Sequence, residues 1–168
     1  MIHSLELADI SSRLVEKAVD VYLISGREVV SRWFHSGDDL DCMIWFSEQG
    51  DLVRFQINLH GQIVDWNQAL MPQPLHTGFI SEEEIRYAGG AIQVVERVVY
   101  DDFLNRSSVE TMLELVGSAS AFTLEWKAQI TAALRPALNA TECRRLANTA
   151  PKSTREPFWQ RLKRWAVR

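Results

Sequence analysis

Between residues 27 and 66 the chain repeats a pattern that few folds accommodate: short apolar runs in strict alternation, separated by turn residues. In "LDCMIWFSE", Leu40, Cys42, Ile44 and Phe46 alternate with Asp41, Met43, Trp45 and Ser47; in "LVRFQINL", Val53, Phe55, Ile57 and Leu59 alternate with Arg54, Gln56 and Asn58. A period of two puts successive side chains on opposite faces of a strand, so each run offers one face to a core and one to something wetter. The connections "SGDD", "QGD" and "HGQ" contain Gly, Asp and Asn-like turn chemistry, and "REVVSRWFH" and "IVDWN" flank the two central runs. The segment therefore reads as an antiparallel meander of three or four strands over about 27–66.

Helical spacing dominates the rest. Ile10, Leu14, Val15, Ala18, Val19 and Tyr22 recur near a 3.6 period and predict a first helix over 9–23, stopped by Gly26, although "VDVYLI" at its end is rich in β-branched residues. Ser81 and Glu84 stand at capping-box spacing. The following Ile85, Ala88, Ile92, Val95, Val99 and Phe103 predict a long helix to about Asn105, with "IQVVERVVY" making a strand the rival reading. Gly89-Gly90 inside that stretch costs a helix about 1 kcal/mol per Gly relative to Ala. A short helix capped by Ser107, another over 122–134 ended by Pro136, and a last one starting at Asn139 complete the series. Strands first and helices after them give an α+β protein with helices on one face of the sheet.

The length, 168 residues, suits one domain. Charge divides it unevenly: residues 1–143 carry ten basic and 21 acidic side chains, net −11, while 144–168 carry eight basic and one acidic, net +7. The body is read as a single α+β domain over 1–147, followed over 148–168 by a short polar linker and a basic amphipathic helix. With no run of about 18 apolar residues and no basic-then-apolar leader, the expectation is a cytoplasmic, bacterial protein. Cys42 and Cys143 stand far apart without metal spacing and read as free thiols.

Candidate chemistry is sparse. "FHSGDDLD" gathers His35, Asp38, Asp39 and Asp41 within seven residues, and His60 in "LHGQ" could join them as metal ligands of a hydrolase or ligand-binding domain. A metal site needs several ligands converging from fixed elements, and clustering along the chain does not provide that; "SGDD" reads more simply as a hairpin turn. Phosphate-binding glycine motifs and nucleophile elbows are missing from the sequence, and nothing in it calls for a cofactor. Catalysis is the weaker reading.

Two features point to binding instead. If the Val53, Phe55, Ile57 and Leu59 side meets the helices, then Met43, Trp45, Arg54, Gln56 and Asn58 face outward, a mixture of large rings and adaptable polar groups that suits an interface. The other feature is the final "EPFWQRLKRWAVR", with three aromatic rings and four cations. At 100° per residue Phe158, Trp159, Leu162, Trp165 and Ala166 fall within about 120°, opposite Gln160, Arg161, Lys163, Arg164 and Arg168. A helix of a dozen residues is marginal alone in water and should be ordered only against a surface. The surfaces open to it are a protein partner's groove, its own body or twin subunit, and, a poorer fit, an anionic membrane. Nucleic acid is excluded by the −11 body. The sequence thus predicts a non-catalytic adaptor or regulatory protein that works through an aromatic sheet face and a basic C-terminal helix.

Overall fold

The alternation between Arg27 and Asn67 forms four strands of a sheet that continues well beyond them. A computed structural model of the protein describes residues 4–24, 26–37, 40–88 and 91–139. Helix α1 (Ser4–Ser12) leads into seven strands, β1 (Val15–Ile24), β2 (Arg27–Ser36), β3 (Leu40–Ser47), β4 (Leu52–Leu59), β5 (Gln62–Asn67), β6 (Leu75–Ala88) and β7 (Ala91–Tyr100). Helices α2 (Arg106–Ser118) and α3 (Leu124–Asn139) follow. Strand order in the sheet is sequence order and every neighbouring pair is antiparallel, so the sheet is one uninterrupted meander. The α+β class holds, but the sheet has seven strands where the pattern announced three or four.

The three additional strands replace predicted helix. The expected helix over 9–23 is a helix only to Ser12; Val15–Ile24 is strand β1, paired with β2 from Val15 opposite His35 to Ile24 opposite Arg27. Its Val15, Val19 and Val21 carry branched Cβ atoms, which lose more χ1 freedom in a helix than on a pleated surface. The expected helix from Ser81 to Asn105 is the β6–β7 hairpin, with Ala88 opposite Ala91 and Ile85 opposite Val94. Helical spacing was satisfied there because the valine pairs Val94-Val95 and Val98-Val99 stand four residues apart, a separation that returns to the same side of a helix and of a strand alike.

The hairpin connections explain their glycines. In the β4–β5 turn His60 has φ 49° and Gly61 φ 81°, the left-handed pair that a two-residue hairpin requires to match strand twist. Gly78 is needed for another reason: a Cβ there would lie 2.3 Å from the carbonyl oxygen of Val99, so β6 and β7 approach too closely for any side chain.

Directly opposed residues of an antiparallel pair share a face, and the registers therefore sort the sheet into two. One face holds Phe34, Cys42, Ile44, Phe46, Phe55, Ile57, Leu59 and Val64, and all three helices pack on it through Leu7, Ile10, Val109, Met112, Leu115, Val116, Ile130 and Leu134, with Leu14 added from the connection after α1. Ser11 Oγ donates to Ser118 Oγ at 2.9 Å and ties α1 to α2, and Ser36 Oγ donates to the Ile10 carbonyl at 2.9 Å, tying α1 to β2. The Phe34 ring meets Phe122 edge-on at 5.1 Å, and Trp126 of α3 lies 5.4 Å from Phe46.

Helix α2 is capped by Asn105, whose side chain accepts from the Ser108 amide, two residues earlier than the predicted Ser107 cap. Thr123 Oγ1 accepts from the Trp126 amide at the start of α3. Pro136 lies inside α3 and does not end it; the carbonyl it leaves without a donor, four residues back at Ala132, belongs to an exposed residue and turns to water. The predicted helix after Asn139 and the whole C-terminal linker and helix lie outside the described residues. Among the described residues no helix is long and apolar enough to cross a membrane.

Candidate functional site

The second face of the sheet is built by the other half of each alternation. Following the registers, three rows of side chains cross it: Asp20, Ser31, Trp45, Arg54 and Asn67; then Ala18, Trp33, Met43, Gln56, Asp65 and His76; then Val15, His35, Asp41, Asn58, Ile63, Gly78 and Tyr100. No helix among the described residues packs on these rows, since the apolar side chains of all three belong to the core on the opposite face.

Two polar networks fix the face. In the first, Asp65 is 5% exposed and its carboxylate accepts from Arg54 Nε at 3.1 Å and Nη2 at 2.8 Å, and from the Tyr100 hydroxyl at 2.8 Å. The Arg54 guanidinium also lies over the Trp45 ring, 5.0 Å from its centroid. Burial alone would lower the Arg54 pKa, but the charge of Asp65 and its hydrogen bonds outweigh this and move it upward. The Tyr100 phenol is held up as well, by burial first and then by the Asp65 charge it faces. This is a bidentate ion pair between a half-buried guanidinium and a buried carboxylate, with a third donor, a geometry in which both charges stay matched.

The second network centres on Asp41. Its Oδ1 accepts from the Trp33 indole Nε1 at 3.1 Å and lies 2.9 Å from His35 Nδ1, and the Trp33 and His35 rings stand 5.8 Å apart. His76 and Tyr100 form a further ring pair at 5.6 Å. Asn58 lies between Asp41 and Ile63 in its row, and its side-chain oxygen is buried without a donor among the described residues.

Sequence reasoning placed Met43, Trp45 and Arg54 together on a face away from the helices, and the structure brings them there. Two details differ. Met43 is 6% exposed and buried, because Trp33 and Gln56 flank it across the strands while Asp41 and Trp45 flank it along its own. Arg54 is not an adaptable contact, since Asp65 and Trp45 lock it. Asp65 and Tyr100 escaped the sequence reading. The available signal was Asp65 itself, an acid at a position whose neighbours Val64 and Trp66 belong to the covered face.

Of the metal-ligand candidates, His35 and Asp41 are adjacent, His60 sits in the β4–β5 turn, and Asp38 and Asp39 lie outside the described residues. Among the described residues no group of three or more His, Cys, Asp or Glu is placed to hold a metal ion. Cys42 is a free thiol on the covered face, and its burial, with Asp41 next to it, raises its pKa far above the ordinary value, which keeps it an unreactive thiol. Phe158, Trp159, Arg161, Leu162, Arg164 and Trp165 are outside the described residues. No protein-family model, curated protein or solved structure matches the chain.

Proposed function

We propose that this protein is a non-catalytic binding protein, an adaptor or regulator, whose open sheet face recognises a basic segment of a polypeptide partner. The observation that carries this reading is the rigidity of that face. Trp33, His35, Trp45, Arg54 and Tyr100 are each held by a hydrogen bond or ring contact to a neighbour, so large rings are presented in fixed positions and little entropy is lost when a partner settles on them. Rings pinned over a polar floor are the usual anchors of protein interfaces.

Charge selects the partner's chemistry. Asp20 and Asp41 lie on the face, and the Arg54 cation there is neutralised by Asp65. The body behind carries net −11. A segment bearing Lys or Arg between apolar residues matches these carboxylates and is steered by the field of the acidic body.

Selection of a random peptide display library on the immobilised full-length chain tests this. Enrichment of Lys- or Arg-bearing peptides with apolar neighbours, lost when Trp33 and Trp45 are both changed to Ala, is the expected outcome. If no peptides are enriched, or if those enriched bind the double variant equally well, the reading is wrong.

A further inference from the structure

Strand β1 is an edge of the sheet, paired on one side by β2. The amides and carbonyls on its other side have no strand to bond among the described residues. Its residues on the helix-bearing face are apolar and uncovered: Val19 is 50% exposed, Val21 59% and Leu23 79%. Arg32 on β2 marks where the helix layer stops, because its guanidinium lies 4.9 Å from the ring centroid of Trp126 in α3 while its Nη1 reaches Glu16 at 2.6 Å. Folded proteins blunt such an edge with Pro, with charge or with a bulge. In β1 the bulge falls between Glu16 and Ala18, at one end of the strand, so the stretch from Ala18 to Ile24 is left regular, with Asp20 as its one charge.

We infer that β1 is the docking site of a second copy of this chain, whose own β1 pairs antiparallel to it about a two-fold axis through Val21 and joins the two sheets into one. The strand itself selects this register. Directly opposed residues share a face, so a two-fold axis that keeps both helix layers on one side passes through a residue. Val21 is the middle of the regular stretch from Ala18 to Ile24.

About that axis the side chains are self-complementary. Val21 meets Val21 of the second copy, and Val19 meets Leu23 twice, so three apolar pairs close along the stripe. Half-buried Val30, opposite Val21 on β2, extends the central pair on either side. On the open face Asp20 comes opposite Tyr22 of the second copy. The Tyr22 hydroxyl donates to Asp20 of its own strand at a long 3.4 Å, and the pairing offers it a second carboxylate across the axis.

Neighbouring registers are worse. An axis through Asp20 sets two carboxylates directly opposite each other, which opposes pairing. An axis through Val19 draws the bulge into the ladder and sets Lys17 against Val21, and an axis beyond Val21 runs the ladder past the β1–β2 hairpin. The main-chain bonds of the new ladder hold the copies together and the apolar pairs fix their register. The inference does not rest on the partner reading, since the open faces of both copies lie uncovered on one side of the joined sheet.

The full-length chain, 19.2 kDa, tests this by sedimentation equilibrium at concentrations up to about 100 μM. The unaltered chain should reach twice that mass. Val21→Lys, at an exposed position that leaves the core intact, should weaken the dimer at least about tenfold by opposing two ammonium groups on the axis. An unaltered chain that stays monomeric, or a Val21→Lys variant that dimerises as tightly, overturns the inference. The register is read with a short bismaleimide on chains carrying Cys143→Ser, so that the buried Cys42 is the one native thiol left. Thiols from Val21→Cys face each other with Cβ atoms about 5 Å apart, whereas those from Val19→Cys stand four residues apart along the ladder, about 13 Å. Dimers of Val21→Cys should therefore cross-link at least about tenfold faster than those of Val19→Cys; equal rates overturn the inferred pairing.

Discussion

The two faces of one sheet are held by different physics. On the covered face, Phe34, Phe55, Ile44, Ile57 and Leu59 are at most 1% exposed among helix side chains, and their contribution is burial: apolar area removed from water and close packing, both indifferent to pH. On the open face comparable burial is reached by polar groups that satisfy one another. Asp65 is 5% exposed because Arg54 and Tyr100 supply its donors, and Met43 is buried because rings and amides surround it. The first arrangement tolerates a change of one methylene at modest cost. The second fails when a single partner is removed, since the remaining charge or donor then lacks its match. A face fixed by mutual hydrogen bonds is also one that can be left open to a partner without collapsing.

This contrast can be broken by measurement. Phe55→Ala leaves a cavity under the helices and should cost about 3–5 kcal/mol of unfolding free energy in urea denaturation. Asp65→Ala leaves the half-buried Arg54 guanidinium and the Tyr100 hydroxyl without an acceptor and should cost about 2 kcal/mol, less than a fully buried pair because water reaches Arg54. If Asp65→Ala costs nothing, the open face is not held by its polar network and the comparison fails.

Tyr100→Phe should have the smallest effect, about 1 kcal/mol at neutral pH, but it sharpens the distinction through pH. The Tyr100 phenol is raised above its ordinary value by burial and then by Asp65, and Tyr22 is pushed to about 12 by burial, then by the charge and hydrogen bond of Asp20. A raised phenol pKa contributes stability in full below the unfolded value of about 10, and that contribution fades as pH climbs from there through the folded value. Unfolding free energy should therefore fall as pH rises above about 10, and less steeply in Tyr100→Phe than in the unaltered chain. Identical slopes would show that the Tyr100 phenol is not raised in the folded protein.

Part of the site was legible in the sequence. Alternation placed Met43 with Trp45, Arg54, Gln56 and Asn58, because in a strand a side chain's face follows from counting by two. Asp65 and Tyr100 were not, because Tyr100 reaches Asp65 across an intervening strand, and that meeting depends on registers that involve residues 35 positions apart.

What the sequence determined by itself was local: an antiparallel meander of three or four strands over about 27–66, the Gly-bearing connections within it, the existence of α2 and α3, and the uneven charge of 1–143 and 144–168. These follow from periodicity, turn geometry and composition, which act over a few residues. The tertiary structure alone decided the fate of 15–24 and 75–100, where apolar side chains satisfy helical and strand spacing alike. There the backbone hydrogen bonds offered by a neighbouring strand settled the matter. The edge of β2 gives Val15–Ile24 a partner over nearly its whole length, and β6 and β7 supply each other from Gly78 opposite Tyr100 to Ala88 opposite Ala91.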